Sequence, residues 1–129
     1  LCKLDSPPEL TSEALKLLEG CADLIKMPIS WADMNAANHV SNIVYFRYFE
    51  DARVHLFDKI DFAQRDEKRD IGIVLASISC KFKIPLVYPD TISIGTKISS
   101  IQEDRFTMQH LVLSHKHQKI AAQGEAVIV

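Results

Sequence analysis

Between Trp31 and Arg53 the chain reads WADMNAANHVSNIVYFRYFEDAR. Three side chains able to do chemistry, Asp33, Asn35 and His39, fall just ahead of a helical pattern. A helix start carries unpaired backbone N–H groups and a partial positive charge. Such a terminus can polarise a carbonyl or hold an oxyanion. An imidazole or carboxylate beside it can activate water or act as a nucleophile. The combination suits acyl transfer or ester hydrolysis. The same residues also read as an ordinary helix start, with Asn38 or Ser41 as cap, Asp33 favouring the helix dipole and His39 packed in the turn. Spacing alone leaves both readings open.

The helix that must position these groups is SNIVYFRYFEDARVHLFDKI. Its apolar residues, from Ile43 and Val44 through Tyr48, Phe49 and Ala52 to Val54, Leu56 and Phe57, recur around most of the circumference. That density predicts a helix buried on more than one side. Glu50 and Arg53 are spaced to pair on its surface. Upstream, LDSPPELTSEALKLLEG predicts a short helix capped by Thr11 or Ser12 and stopped at Gly20. LIKMPISW predicts a strand, with Pro28 at an edge or bulge and Trp31 walling the site or packing in the core.

Downstream, DFAQRDEKRD reads as a solvated connection. IGIVLASISCKFKI, TISIGTKISSI, RFTMQHLVLSH and KIAAQGEAVIV read as strands, PLVYPD as a turn, and IQED and HKHQ as hairpin turns. One long helix against about four antiparallel strands, with one more strand ahead of it, is a two-layer α+β architecture.

At this point the motif resembles the signature of the 4-hydroxybenzoyl-CoA thioesterase family of hotdog-fold proteins. Asp33, His39, Val40, Asn42 and Tyr45 match that pattern, as do Phe49, Glu50, Ala52 and Arg53. IVLASISCKFKIPLVYPDTISIGTKI and HKHQKIAAQGEAVIV are similar to the family's later strands, so the likeness runs from about Leu24 to Val129. The resemblance implies a curved antiparallel sheet wrapped around one long central helix. It implies one hotdog domain over residues 1–129, with residues 1–22 as an N-terminal extension carrying the short helix. It implies a homodimer or homotetramer acting on acyl-CoA or acyl-carrier-protein thioesters. Asn35, His39 and Asp33 are the catalytic candidates, and Asn42, Tyr45 and Asn38 the substrate-binding ones, with the backbone N–H at about Asn42 facing the thioester carbonyl. The chain departs from the pattern at Asn35, where an acid is expected, and at Asn38 and Ser41. An amide takes no proton at neutral pH, so Asn35 orients a water or the carbonyl while His39 or Asp33 activates the water. Asn38 tolerates the left-handed backbone that the family's glycine supplies. The alternative is a noncatalytic module that binds acyl thioesters or a protein partner.

Size and composition agree with one globular domain: 129 residues, 47% hydrophobic and 25% charged. A net charge of −2 offers no basic field for nucleic acid. No apolar run approaches a membrane span. Cys2, Cys21 and Cys80 form no CxxC pair, which suits reduced thiols in an intracellular protein, cytoplasmic or organellar. The chain starts at Leu1 rather than Met, a start compatible with a lost mitochondrial or other organellar address. No metal and no bound cofactor are expected. His115 and His117 would share a face if on a strand but lack a third ligand, so a polar turn is the simpler reading. Arg65, Lys68 and Arg69, or Lys81 and Lys83, are the cations available to a nucleotide tail. Tyr45 and Tyr48 can reach a substrate or bond a backbone carbonyl.

Overall fold

The computed structural model describes residues 8–60 and 74–129. Cys2 and the cationic candidates Arg65, Lys68 and Arg69 lie outside those residues. The described chain runs α1 (Ser12–Lys16), β1 (Asp23–Pro28), a 3-10 turn (Trp31–Asp33), α2 (Asn42–Lys59), then β2 (Leu75–Phe82), β3 (Thr91–Ile101), β4 (Phe106–Ser114) and β5 (Lys119–Ile128). The strands form one antiparallel sheet in the order β1-β3-β4-β5-β2. This is the expected α+β hotdog architecture, a curved sheet packed on one long helix.

Local chemistry explains most boundaries. Thr11 Oγ1 accepts from the Ala14 N–H at the start of α1, as its hydroxyl predicts, and Gly20 takes a φ of +85° just beyond the helix. Pro28 ends β1, an edge strand, where a missing N–H costs no ladder bond. The HKHQ segment makes the β4–β5 turn, with Gln118 at φ +57°. His115 and His117 therefore sit in that turn rather than on one strand face. Buried His115 is bonded to the Ser93 hydroxyl and the Pro8 carbonyl. Among the described residues no three His, Cys, Asp or Glu side chains cluster to hold a metal. No helix there is long and apolar enough to cross a membrane.

The core lies between α2 and the sheet. Tyr45, Tyr48, Phe49, Ala52 and Leu56 are buried against Ile92, Ile94, Met108 and Val112. Each fully buried Phe, Leu, Ile, Met or Val side chain among them contributes about 1.5–3 kcal/mol. The buried residues fall on one stripe, which corrects the expectation of burial on several sides: Ile43 is 75% and Val54 51% exposed. One sheet covers one helix face, and among the described residues nothing covers the other. Arg53 is on the buried stripe, where the Glu50 charge still acts on it, but the two form no ion pair on the helix surface. Trp31 is also corrected, since its ring is 75% exposed on the 3-10 turn and does not pack in the core.

Residues 8–18 cross the outer face of the sheet. Ala14 and Leu18 pack on Leu111 and Leu113 there. Sheet and helix thus hold the N-terminal end of α2 against the segment that follows β2.

Candidate active site

The loop ahead of α2 is built around Asp33. Ser30 and Asp33 cap the 3-10 turn reciprocally. Asp33 Oδ1 accepts from Arg47 Nη2 at 2.9 Å, and Oδ2 accepts from the Tyr48 hydroxyl at 2.9 Å. Its carbonyl accepts the Ser41 N–H, the residue just before α2. Burial pushes the Asp33 carboxyl up, but the hydrogen bonds from Arg47, Tyr48 and Ser30, with the Arg47 charge, outweigh it and hold the pKa below the usual carboxylate range. Asp33 is thus an ionised anchor whose two oxygens are already engaged.

Residues 35–39 form a tight loop closed by the Met34–Val40 bridge. Asn35 Oδ1 accepts the N–H groups of Ala37 and His39, at 3.0 and 3.3 Å. Its backbone N–H donates to the His39 carbonyl. Asn38 adopts φ +67°, the left-handed conformation that asparagine tolerates. The Val40 N–H donates to the Leu86 carbonyl, tying the loop to the segment after β2. The loop's hydrogen bonds leave the His39 side chain exposed at the start of α2.

A pocket of about 330 Å³ opens there. One side is His39, Val40, Asn42 and Tyr45; the other is Phe82, Lys83, Ile84 and Pro85. Asn42 is the first residue of α2, and first-turn N–H groups have no intrahelical acceptor. Tyr45 is buried, and burial raises its phenol pKa, so it stays a neutral donor. Its ring meets Phe82 edge to face at 4.9 Å. The Lys83 and Ile84 N–H groups both donate to the Ala121 carbonyl, which holds the far wall on β5.

The structure therefore brings His39, Asn42 and Tyr45 together on the pocket. Asn35 and Asn38 shape the loop beside it, and Asp33 lies buried beneath. Tyr48 bonds Asp33 rather than a backbone carbonyl. Sequence patterning does not single out Phe82, Ile84 and Pro85 as lining residues, and it offers Lys83 only as a cation for a nucleotide tail. Arg47, the second anchor of Asp33, had no signal, because a spacing of 14 residues across a loop has no periodicity to read.

The thioesterase-like superfamily's family model matches residues 29–129. A curated Aquifex aeolicus (strain VF5) protein, provisionally named an esterase, is 33% identical over 82 residues. That alignment covers 62% of this chain and 62% of the Aquifex protein's length. Among solved structures, a thioesterase superfamily protein from Jannaschia sp. CCS1 superposes with a TM-score of 0.79 at 19% identity, covering 100% of this chain and 82% of the other. A Thermus thermophilus thioesterase, complexed with coenzyme A and Zn, gives a TM-score of 0.73 at 25% identity, covering 86% of this chain and 80% of the other.

Proposed function

The chain belongs to the thioesterase-like superfamily, and from that footing we propose that it hydrolyses acyl thioesters, of coenzyme A or of an acyl carrier protein, at the start of α2. We assign it within the superfamily to the 4-hydroxybenzoyl-CoA thioesterase family on the Asp33-to-Tyr45 motif, as an intracellular homodimer or homotetramer. The observation that carries the reading is the placement of the His39 imidazole and the Asn42 helix terminus on one pocket.

In this reaction the thioester carbonyl lies against the Asn42 N–H. His39 takes a proton from water, and the oxygen of that water bonds to the carbonyl carbon. The carbonyl oxygen becomes an oxyanion, which the N–H and the helix terminus stabilise. Collapse reforms C=O and breaks the C–S bond. The imidazolium returns its proton to the leaving thiolate, giving free thiol and carboxylic acid. Asn35 positions His39 through the loop, and Asp33 holds the loop on α2.

A second reading is binding without hydrolysis. It is favoured by the absence of any carboxylate among the described residues lining the pocket. Thiol release from acyl-CoAs of graded chain length, for wild type and His39→Ala, separates the two. Turnover that falls at least a hundredfold in the variant supports hydrolysis at this loop. Saturable acyl-CoA binding without thiol release by wild type leaves the binding module.

A further inference from the structure

The pocket's charges have one sign. The helix terminus at Asn42 is partly positive and Lys83 is a cation. No acid among the described residues lines the pocket, and none pairs with Lys83. The remaining surface, from Tyr45, Phe82, Val40, Ile84 and Pro85, is largely apolar. Such a field attracts an anion and leaves a neutral acyl chain with no partner for the ammonium.

The phosphates of coenzyme A do not fit that role. A compact space of this volume is roughly 9 Å across. Sulfur and first phosphate in the pantetheine arm are separated by about a dozen bonds, roughly 15 Å extended. With the carbonyl at Asn42, the phosphates therefore lie outside the pocket that Lys83 lines. Lys81 is exposed two residues earlier on β2 and is not part of the lining. An anion held within the pocket against Lys83 is therefore one carried by the acyl group.

We propose that Lys83 selects acyl thioesters whose acyl chain ends in its own carboxylate, a few carbons from the carbonyl. This rests on the hydrolysis reading for its assay but on Lys83 for its outcome. The free carboxylate pairs with the ammonium at the rim while the methylenes lie on Phe82 and Tyr45. An ion pair at a partly solvated rim keeps the desolvation cost of both charges low.

The test compares kcat/KM for glutaryl-CoA and the chain-matched neutral pentanoyl-CoA, in wild type, Lys83→Gln, Lys83→Glu and Lys81→Gln. Wild type should favour glutaryl by at least tenfold, Lys83→Gln should bring the ratio close to one, and Lys83→Glu should invert it. Lys81→Gln, the same charge change outside the lining, should keep the wild-type ratio. Hydrolysis of both thioesters with no glutaryl preference in wild type overturns the proposal. So does a ratio that Lys83→Gln leaves unchanged. A Lys83→Gln effect equal on both CoA substrates and absent from N-acetylcysteamine thioesters would assign the lysine to the phosphates, again overturning it. If neither thioester is turned over, that outcome bears on the hydrolysis reading alone. The ratio is then read from calorimetric Kd values, where equality overturns the Lys83 assignment and a tenfold preference upholds it.

Discussion

The Tyr48 hydroxyl donates to Asp33 Oδ2 across 2.9 Å, so a buried side chain inside α2 holds the loop that carries Asn35 and His39. Arg47, one residue earlier, holds the other oxygen of the same carboxylate from the solvent side. The site is thus positioned by an acid that does not line it.

Removing that anchor should be felt in stability. Tyr48→Phe should cost about 1.5–3 kcal/mol at pH 7, the range for a hydrogen bond to a charged group. Because the folded Asp33 pKa lies below its ordinary 3.8, the anchor's contribution is present above that pH. It is lost as pH falls through the folded value. Urea unfolding of wild type and Tyr48→Phe should show a difference at pH 7 that shrinks toward pH 2.5. An equal difference at both pH values would mean that the hydroxyl acts by packing alone.

A second acid-sensitive group is His110. Its ring is fully buried, stacked on Phe49 at 5.3 Å and bonded through Nδ1 to the Thr96 hydroxyl. Burial first, and the Arg53 charge second, push its pKa down to about 3. The unfolded chain binds that proton near 6.5 and the folded chain does not. Stability should therefore fall as pH drops below 6.5, by up to about 1.4 kcal/mol per pH unit, until about pH 3. His110→Gln keeps a partner for Thr96 and should flatten that limb of the stability curve. A variant curve parallel to wild type between pH 6 and 4 would remove His110 as the cause.

Gly124 makes room for Phe49. A Cβ at Gly124 would run into the edge of the Phe49 ring, and that ring is fully buried. Gly124→Ala should therefore destabilise by about 1–3 kcal/mol through overpacking. Adding Phe49→Leu should recover part of the loss, a coupling that a double-mutant cycle measures. Additive losses would place the strain elsewhere.

Asn35 should act through His39 and not on the substrate. Asn35→Asp keeps the oxygen that accepts the Ala37 and His39 N–H groups. It should retain the loop and at least a third of wild-type thiol release. Asn35→Ala loses both bonds and should lower kcat at least tenfold. Asn35→Asp that raises activity severalfold, with a new acidic limb in the pH–rate profile, would instead make the position a proton acceptor.

Elements whose causes are local were legible in the sequence. The short helix with its Thr11 cap, the Pro28 edge strand, the start of α2 at Asn42 and the HKHQ turn all appear where propensity and turn chemistry put them. The one-sided burial of α2 was not legible, because apolar residues around a helix do not say how many sheets cover it. Trp31 misled for a related reason: a large ring predicts burial, but the 3-10 turn faces it to solvent.

By itself the sequence determined the α+β class, the family-like motif and the loop on which His39 stands, since each depends on residues close together in the chain. Only the tertiary structure decided what surrounds them. Packing of the segment after β2 against the start of α2 set Lys83 across a pocket from His39, although 44 positions separate them. Packing also enclosed Asp33 between Arg47 and Tyr48, which made it a structural anion. Charge, burial and access are properties of such neighbours, and neighbours brought from distant positions leave no periodicity in the chain.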